Sequence, residues 1–103
     1  MMAKIYKPKS LQELKELVND KSVHLGDIDT SLITDMTELF KDSKRKNFNG
    51  LETWNTSNVT LMKGMFYRAK YFNHPIGDWD VAKVEDMTFM FCEAPAFNQP
   101  LEK

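Results

Sequence analysis

Residues 54–78 and 79–103 are two copies of one 25-residue unit. Nine of the 25 aligned positions are identical: Trp54/Trp79, Val59/Val84, Met62/Met87, Met65/Met90, Phe66/Phe91, Ala69/Ala94, Phe72/Phe97, Asn73/Asn98 and Pro75/Pro100. Unrelated segments of ordinary composition would share about one or two. An older copy lies upstream. Leu25–Ser43 matches Ile76–Ala94 with seven identities in 19, among them Gly26/Gly77, Asp27/Asp78 and Asp29/Asp80. A unit this short cannot bury a core by itself. It must stack on its neighbours and share one continuous interior.

Each copy carries two apolar signatures. The first is Leu25-x-x-Ile28-x-Thr30, Leu51-x-x-Trp54-x-Thr56 and Ile76-x-x-Trp79-x-Val81. Its last two positions are two apart and rich in strand-forming residues, which predicts a short strand. The second is Ile33, Met36, Phe40, Ser43, repeated as Val59, Met62, Phe66, Ala69 and as Val84, Met87, Phe91, Ala94. Spacing of 3, 4 and 3 is one stripe of a helix of two or three turns. Thr34 and Thr60 are placed as its N-caps, with Asp35, Glu85 and Asp86 in the first turn. Phe-Asn closes each unit, at Phe48-Asn49, Phe72-Asn73 and Phe97-Asn98. The Phe reads as a core plug and the Asn as a partner for turn backbone. The first copy is irregular: Lys44–Asn47 adds two residues before its Phe-Asn.

The first 24 residues differ. Lys4-Ile5-Tyr6 reads as a short strand, and Ser10-x-x-Glu13 is a capping box. Leu11, Leu14, Leu17 and Val18 then form one face of a helix that closes the end of the stack. The expected organisation is a cap over 1–24, repeats over 25–50, 51–75 and 76–101, and a tail at 102–103. No capping sequence follows the third repeat, so the end at Phe97–Leu101 is expected to be open: either further repeats follow or another molecule covers it.

Composition narrows the function. Fourteen Lys and Arg against 15 Asp and Glu give a net charge of −1, which is no nucleic-acid footprint. One cysteine, Cys92, excludes an internal disulfide framework and a Cys-rich zinc site. No apolar run is long enough to span a membrane, and Met1–Ser10 lacks the apolar core of a signal peptide.

The strings WNTSNVTLMKGMFYRAKYFNHPIGDWD and WDVAKVEDMTFMFCEAPAFNQPL resemble the bacterial surface-protein repeat of about 26 residues grouped with BspA-like leucine-rich-repeat proteins. The resemblance covers residues 25–101. It implies a repeat protein of adhesion or protein-recognition type at the bacterial cell surface, and it brings no catalytic residues. This chain departs from that family in having few repeats and no secretion signal; a complete chain of this kind would be cytoplasmic.

His24 and His74 occupy different repeat positions and have no partner at metal-ligand spacing. Cys92 aligns with Tyr67 and Lys41, a surface slot without a fixed base beside it. Stacking places Asp29, Asn55 and Asp80 in one ladder, too poor in oxygens for calcium. Trp54, Trp79 and the methionines at 36, 62, 65, 87 and 90 read as core. Lys44-Arg45-Lys46, the single basic run, reads as a solvated loop open to recognition.

These readings converge on an α/β architecture: a short right-handed leucine-rich-repeat-like βα solenoid with a small parallel sheet and a helical N-terminal cap. The expected role is a non-enzymatic recognition module without cofactor or metal. It would bind a protein partner through an acidic face of Asp27, Asp29, Glu52, Thr53, Asn55, Asp78 and Asp80. The alternative is an intracellular structural protein that pairs as a homo-dimer through its C-terminal end. Nucleic acid and membrane insertion are not expected.

Overall fold

The computed structural model describes residues 4–99; Pro100, Leu101 and the tail at 102–103, which the sequence assigns to the end of the third repeat and beyond it, lie outside the described residues. Helix α1 spans Leu11–Asn19 and forms where the capping box places it. The Ser10 hydroxyl accepts from the Glu13 amide at 3.2 Å, and the Glu13 carboxylate accepts from the Lys9 amide at 2.7 Å. Leu14 and Val18 bury against the first repeat. Ahead of the helix, Tyr6 pairs in parallel with Ile28, an isolated bridge rather than a strand.

The helical stripes are not helices, and the strands are not strands. Among the described residues α1 is the single α-helix, and strand pairing is limited to three isolated parallel bridges, Tyr6 with Ile28, Asp35 with Leu61 and Leu61 with Asp86. The expected βα solenoid with a parallel sheet and helices behind it is therefore replaced by something else. Leu25–Asp27 and Leu51–Thr53 are single 3-10 turns. Beyond them Trp54 is extended, at φ −65° and ψ 137°, yet joins no sheet.

Each former stripe is a chain of β-turns. Leu39 bonds back to Met36, and Ser43 to Phe40; Met65 to Met62, and Ala69 to Phe66; Met90 to Met87, and Ala94 to Phe91. The third residue of every one of these turns has positive φ: Glu38, Asp42, Gly64, Arg68, Phe89 and Glu93. That is the type II signature. A left-handed residue every fourth position forbids a helix, and the freed amides turn sideways instead. Met36, Glu38, Phe40 and Asp42 donate to the carbonyls of Leu61, Lys63, Met65 and Tyr67 at 2.8–2.9 Å. Met62, Gly64, Phe66 and Arg68 donate in turn to Asp86, Thr88, Met90 and Cys92 at 2.8–3.0 Å. Every amide in this ladder points toward the following coil. Five non-glycine residues in the left-handed region cost about 1–2 kcal/mol apiece, which the ladder and the burial it permits must offset.

Thr34 and Thr60, placed by sequence as helix caps, take another part in the same lattice. The Thr34 carbonyl accepts from the Thr60 amide at 2.8 Å and from the Thr60 hydroxyl at 3.2 Å. Asp35 and Asp86, placed in a first helical turn, instead accept from the amides of Thr37 and Thr88 two residues on.

The stripe residues of the first two coils nonetheless face inward together, because a four-residue turn and a helical turn return to one side at nearly the same spacing; in the third coil Met87, read from sequence as core, is instead exposed. Met36, Phe40, Val59, Met62, Phe66 and Ala69 are buried. Phe40, Phe66 and Phe91 stack coil upon coil at 5.5 and 5.7 Å with rings within 2° of parallel. Phe48, Phe72 and Phe97 form a second column beside them. Trp54 and Trp79 are core, 4% and 3% exposed.

Candidate functional site

The predicted acidic face lies where the coils turn out of the extended segment. Asp29, Asn55 and Asp80 hold equivalent places at successive corners. Each uses Oδ1 to accept the amide two residues on: Ser31 at 2.9 Å, Ser57 at 3.0 Å and Ala82 at 3.0 Å. The Asp/Asn ladder is thus a set of Asx turns that shape the corners. The corners are sewn together from inside. Thr30 Oγ1 donates to the Asn55 carbonyl at 3.0 Å, and Thr56 Oγ1 to the Asp80 carbonyl at 2.9 Å; both threonines are buried. Side-chain hydroxyls here do the work that ladder amides would do in a sheet.

The bonds from Ser31 hold the Asp29 carboxyl below the usual aspartate range, with Lys7, 3.9 Å away, adding to the effect. The remaining face residues fall into two groups. Asp27 and Thr53 sit beside the N-terminal segment. The Asp27 carbonyl accepts from the amides of Ile5 and Tyr6, and Thr53 Oγ1 accepts from Lys4 Nζ at 2.9 Å. Lys4 also reaches the Gly26 carbonyl, so a cation edges this part of the face. Sequence reading missed Lys4; only its register against Asp27 carries that signal.

Glu52 and Asp78 lie together further along. They line a depression of about 380 Å³ together with Pro75 and Gln99, with the buried Ile76 and Trp79 at its floor. Glu52 Oε1 is 2.6 Å from His74 Nε2 and accepts the Gly50 amide at 3.0 Å; the His74 bond, foremost, holds its carboxyl below the ordinary range. Asp78 has no hydrogen-bond or ion-pair partner among the described residues. The structure therefore brings Glu52 and Asp78 into one concavity, while Asp29, Asn55 and Asp80 form a row of corners.

Among the described residues no group of three or more His, Cys, Asp and Glu side chains converges as metal ligands, and no helix is long and apolar enough to cross a membrane. Cys92 is a half-buried free thiol. His24 accepts the Gly26 amide on Nδ1 at 2.9 Å, so its neutral ring carries the proton on Nε2.

No curated protein and no solved structure matches the sequence. A family model does match, over residues 9–103, and it takes in the α1 cap together with the repeats. The chain belongs to DUF285, the family described as Mycoplasma protein of unknown function.

Proposed function

We propose that this protein is a non-enzymatic recognition module that binds a protein partner on its acidic corner face, a reading supported by the resemblance of its repeats to BspA-like surface repeats. One observation carries the reading. The coils are held together by backbone ladders and buried rings, while equivalent outward positions carry unrelated chemistry: Lys41, Tyr67 and Cys92 in one column, Asp42, Arg68 and Glu93 in the next. A scaffold that keeps its interior constant and varies its outer columns is suited to recognition. The depression beside Glu52 and Asp78 offers a basic or polar side chain of the partner a carboxylate and an apolar floor. The test compares capture of binding proteins by the wild-type protein and by an Asp78→Lys/Asp80→Asn variant. Asparagine keeps the corner acceptor, as Asn55 does. Loss of captured partners supports the reading, and unchanged capture rejects the acidic face.

A specific observation favours a second reading, association through the last coil. Met87, Phe89, Phe91 and Glu93 occupy the ladder-donor positions of the third repeat, and their amides have no acceptor among the described residues. Met87 and Phe89 are 43% and 61% exposed beside them. Such an edge needs a segment offering carbonyls. Light scattering across a dilution series tests it, and a monomer at every concentration rejects self-association.

A further inference from the structure

The two-residue insertion after Ser43 builds a pocket. Arg45 turns back across the first coil and ties the loop to the end of α1: its Nη2 donates to the Val18 carbonyl at 3.2 Å and the Asp20 carbonyl at 3.5 Å, and its Nη1 to Asn47 at 3.3 Å. Between loop and cap lies an open cleft of about 500 Å³. Lys21, His24, Lys44, Arg45 and Lys46 line it, and no acidic side chain does.

Four cationic side chains therefore line one concavity on a chain whose net charge is −1, one of them, Lys46, with its ammonium 4.9 Å from the centre of the Tyr71 ring. None of the four has a carboxylate within ion-pair distance among the described residues; the acids of this protein pair with Lys7, Lys41, Arg68 and His74 instead. Arg45 is half-buried, its bonds go to neutral carbonyls alone, and burial lowers its pKa. Three of its five N–H groups are engaged there, which leaves two without an acceptor among the described residues. Clustered cations repel one another, and a loop that merely needed solubility would interleave acids.

We propose that this pocket binds the phosphoryl groups of a small ligand, with two or more negative charges. The volume is that of a small-molecule site. A single carboxylate would leave most of the positive charge uncompensated, whereas a phosphate carries about −1.5 to −2 at neutral pH and presents oxygens suited to Arg and Lys together. Four cations are too few to hold a nucleic acid backbone at physiological salt. This site is independent of the acidic face and stands or falls separately.

The experiment titrates inorganic pyrophosphate into the isotopically labelled protein at pH 7 and low salt, followed by amide shifts. Phosphate, sulfate and glutamate run as parallel probes, and a short single-stranded RNA as another. Saturable shifts confined to residues 21–25 and 44–49, stronger for pyrophosphate than for glutamate, are expected. A Lys44→Gln/Lys46→Gln variant, whose melting temperature is checked against wild type, should bind about tenfold or more weakly. A Lys63→Gln/Lys83→Gln variant should bind as wild type does. Shifts scattered over all lysines, or equal affinity in both variants, overturn the proposal. So does sulfate or glutamate binding as tightly as pyrophosphate, which marks a general anion site. RNA saturating the same amides more tightly than pyrophosphate replaces the small ligand with a nucleic acid and also overturns it.

Discussion

The Trp54 indole donates its Nε1 hydrogen to the carbonyl of Leu25 at 2.8 Å, 29 residues back and one coil below. Trp79 repeats the bond to Leu51 at 3.1 Å. Each ring is buried, and each bond ties the extended segment of one coil to the 3-10 turn of the preceding one. Replacing Trp54 with Phe removes the donor and part of a buried ring while keeping an aromatic fill. The lost bond and the small void together should cost about 1–3 kcal/mol. Denaturant unfolding measures this, and Trp79→Phe should fall in the same range, because its bond and burial are equivalent.

Phe89 stands in the left-handed region at φ 59° with its side chain 61% exposed. Its column neighbour one coil earlier is Gly64, at the same φ. Two substitutions at equivalent places should therefore act in opposite directions. Phe89→Gly relieves backbone strain and gives up little burial, so it should leave stability unchanged or raise it by about 1 kcal/mol. Gly64→Ala introduces strain of about 1 kcal/mol, and its Cβ would meet Glu38 Cγ at 3.3 Å, so it should destabilise. Melting curves of the two variants check the signs.

The corners and turns make stability acid-sensitive. The carboxyls of Asp29 and Asp86 are held below the ordinary aspartate value, chiefly by hydrogen bonds from Ser31 and Thr88, and that of Asp20 by Ser22. A carboxyl with a lowered pKa in the folded state adds stability that is complete above its unfolded value, near 3.9, and is lost as pH falls through the folded value. The melting temperature should hold steady above about pH 5 and fall on further acidification. Asp29→Asn keeps an acceptor for the Ser31 amide, as Asn55 does for Ser57, and removes the titrating group. Its acid limb should be shallower than that of the wild type.

Which residues are inside was legible in the sequence, apart from Met87 on the last coil, and the path of the chain between them was not. Ile33, Met36 and Phe40 recur at 3 and 4 whether the backbone winds as a helix or folds as successive four-residue turns. What separates the two is the direction of the amides, and no side chain writes that down. The one hint lay in weak helix formers, with threonines at 34, 37, 60 and 88 and a glycine at 64 inside the stripes. The strand reading failed for a related reason. Ile28 and Trp54 do sit on extended backbone, but two residues on it is the hydroxyls of Thr30 and Thr56, rather than ladder amides, that make the coil-to-coil bonds. On the face, the corner ladder of Asp29, Asn55 and Asp80 was visible as a register. That its oxygens are engaged by their own turns follows only from where Ser31, Ser57 and Ala82 place their amides. The meeting of Glu52 with His74, 22 residues apart, had no pattern to announce it.

The irregular loop has a structural reason that the residue pattern did not disclose. Two extra residues let Arg45 reach the carbonyls of Val18 and Asp20, where α1 ends without a basic residue of its own in the last turn. A guanidinium there satisfies carbonyls that the helix leaves open and complements the helix dipole. Arg45→Met keeps a long stem and removes every donor. It should loosen the cap by about 1–2 kcal/mol while sparing the coil ladder. Amide exchange distinguishes the two regions: Leu14 and Val18 should lose protection, whereas Met62 and Phe66, bonded to the third coil, should keep theirs. Arg45→Lys should restore little, because one ammonium on a flexible stem cannot bridge three carbonyls as the planar fork does. Equal loss of protection in α1 and in the ladder would mean that cap and coils unfold as one unit, and that the loop holds the whole stack rather than its end.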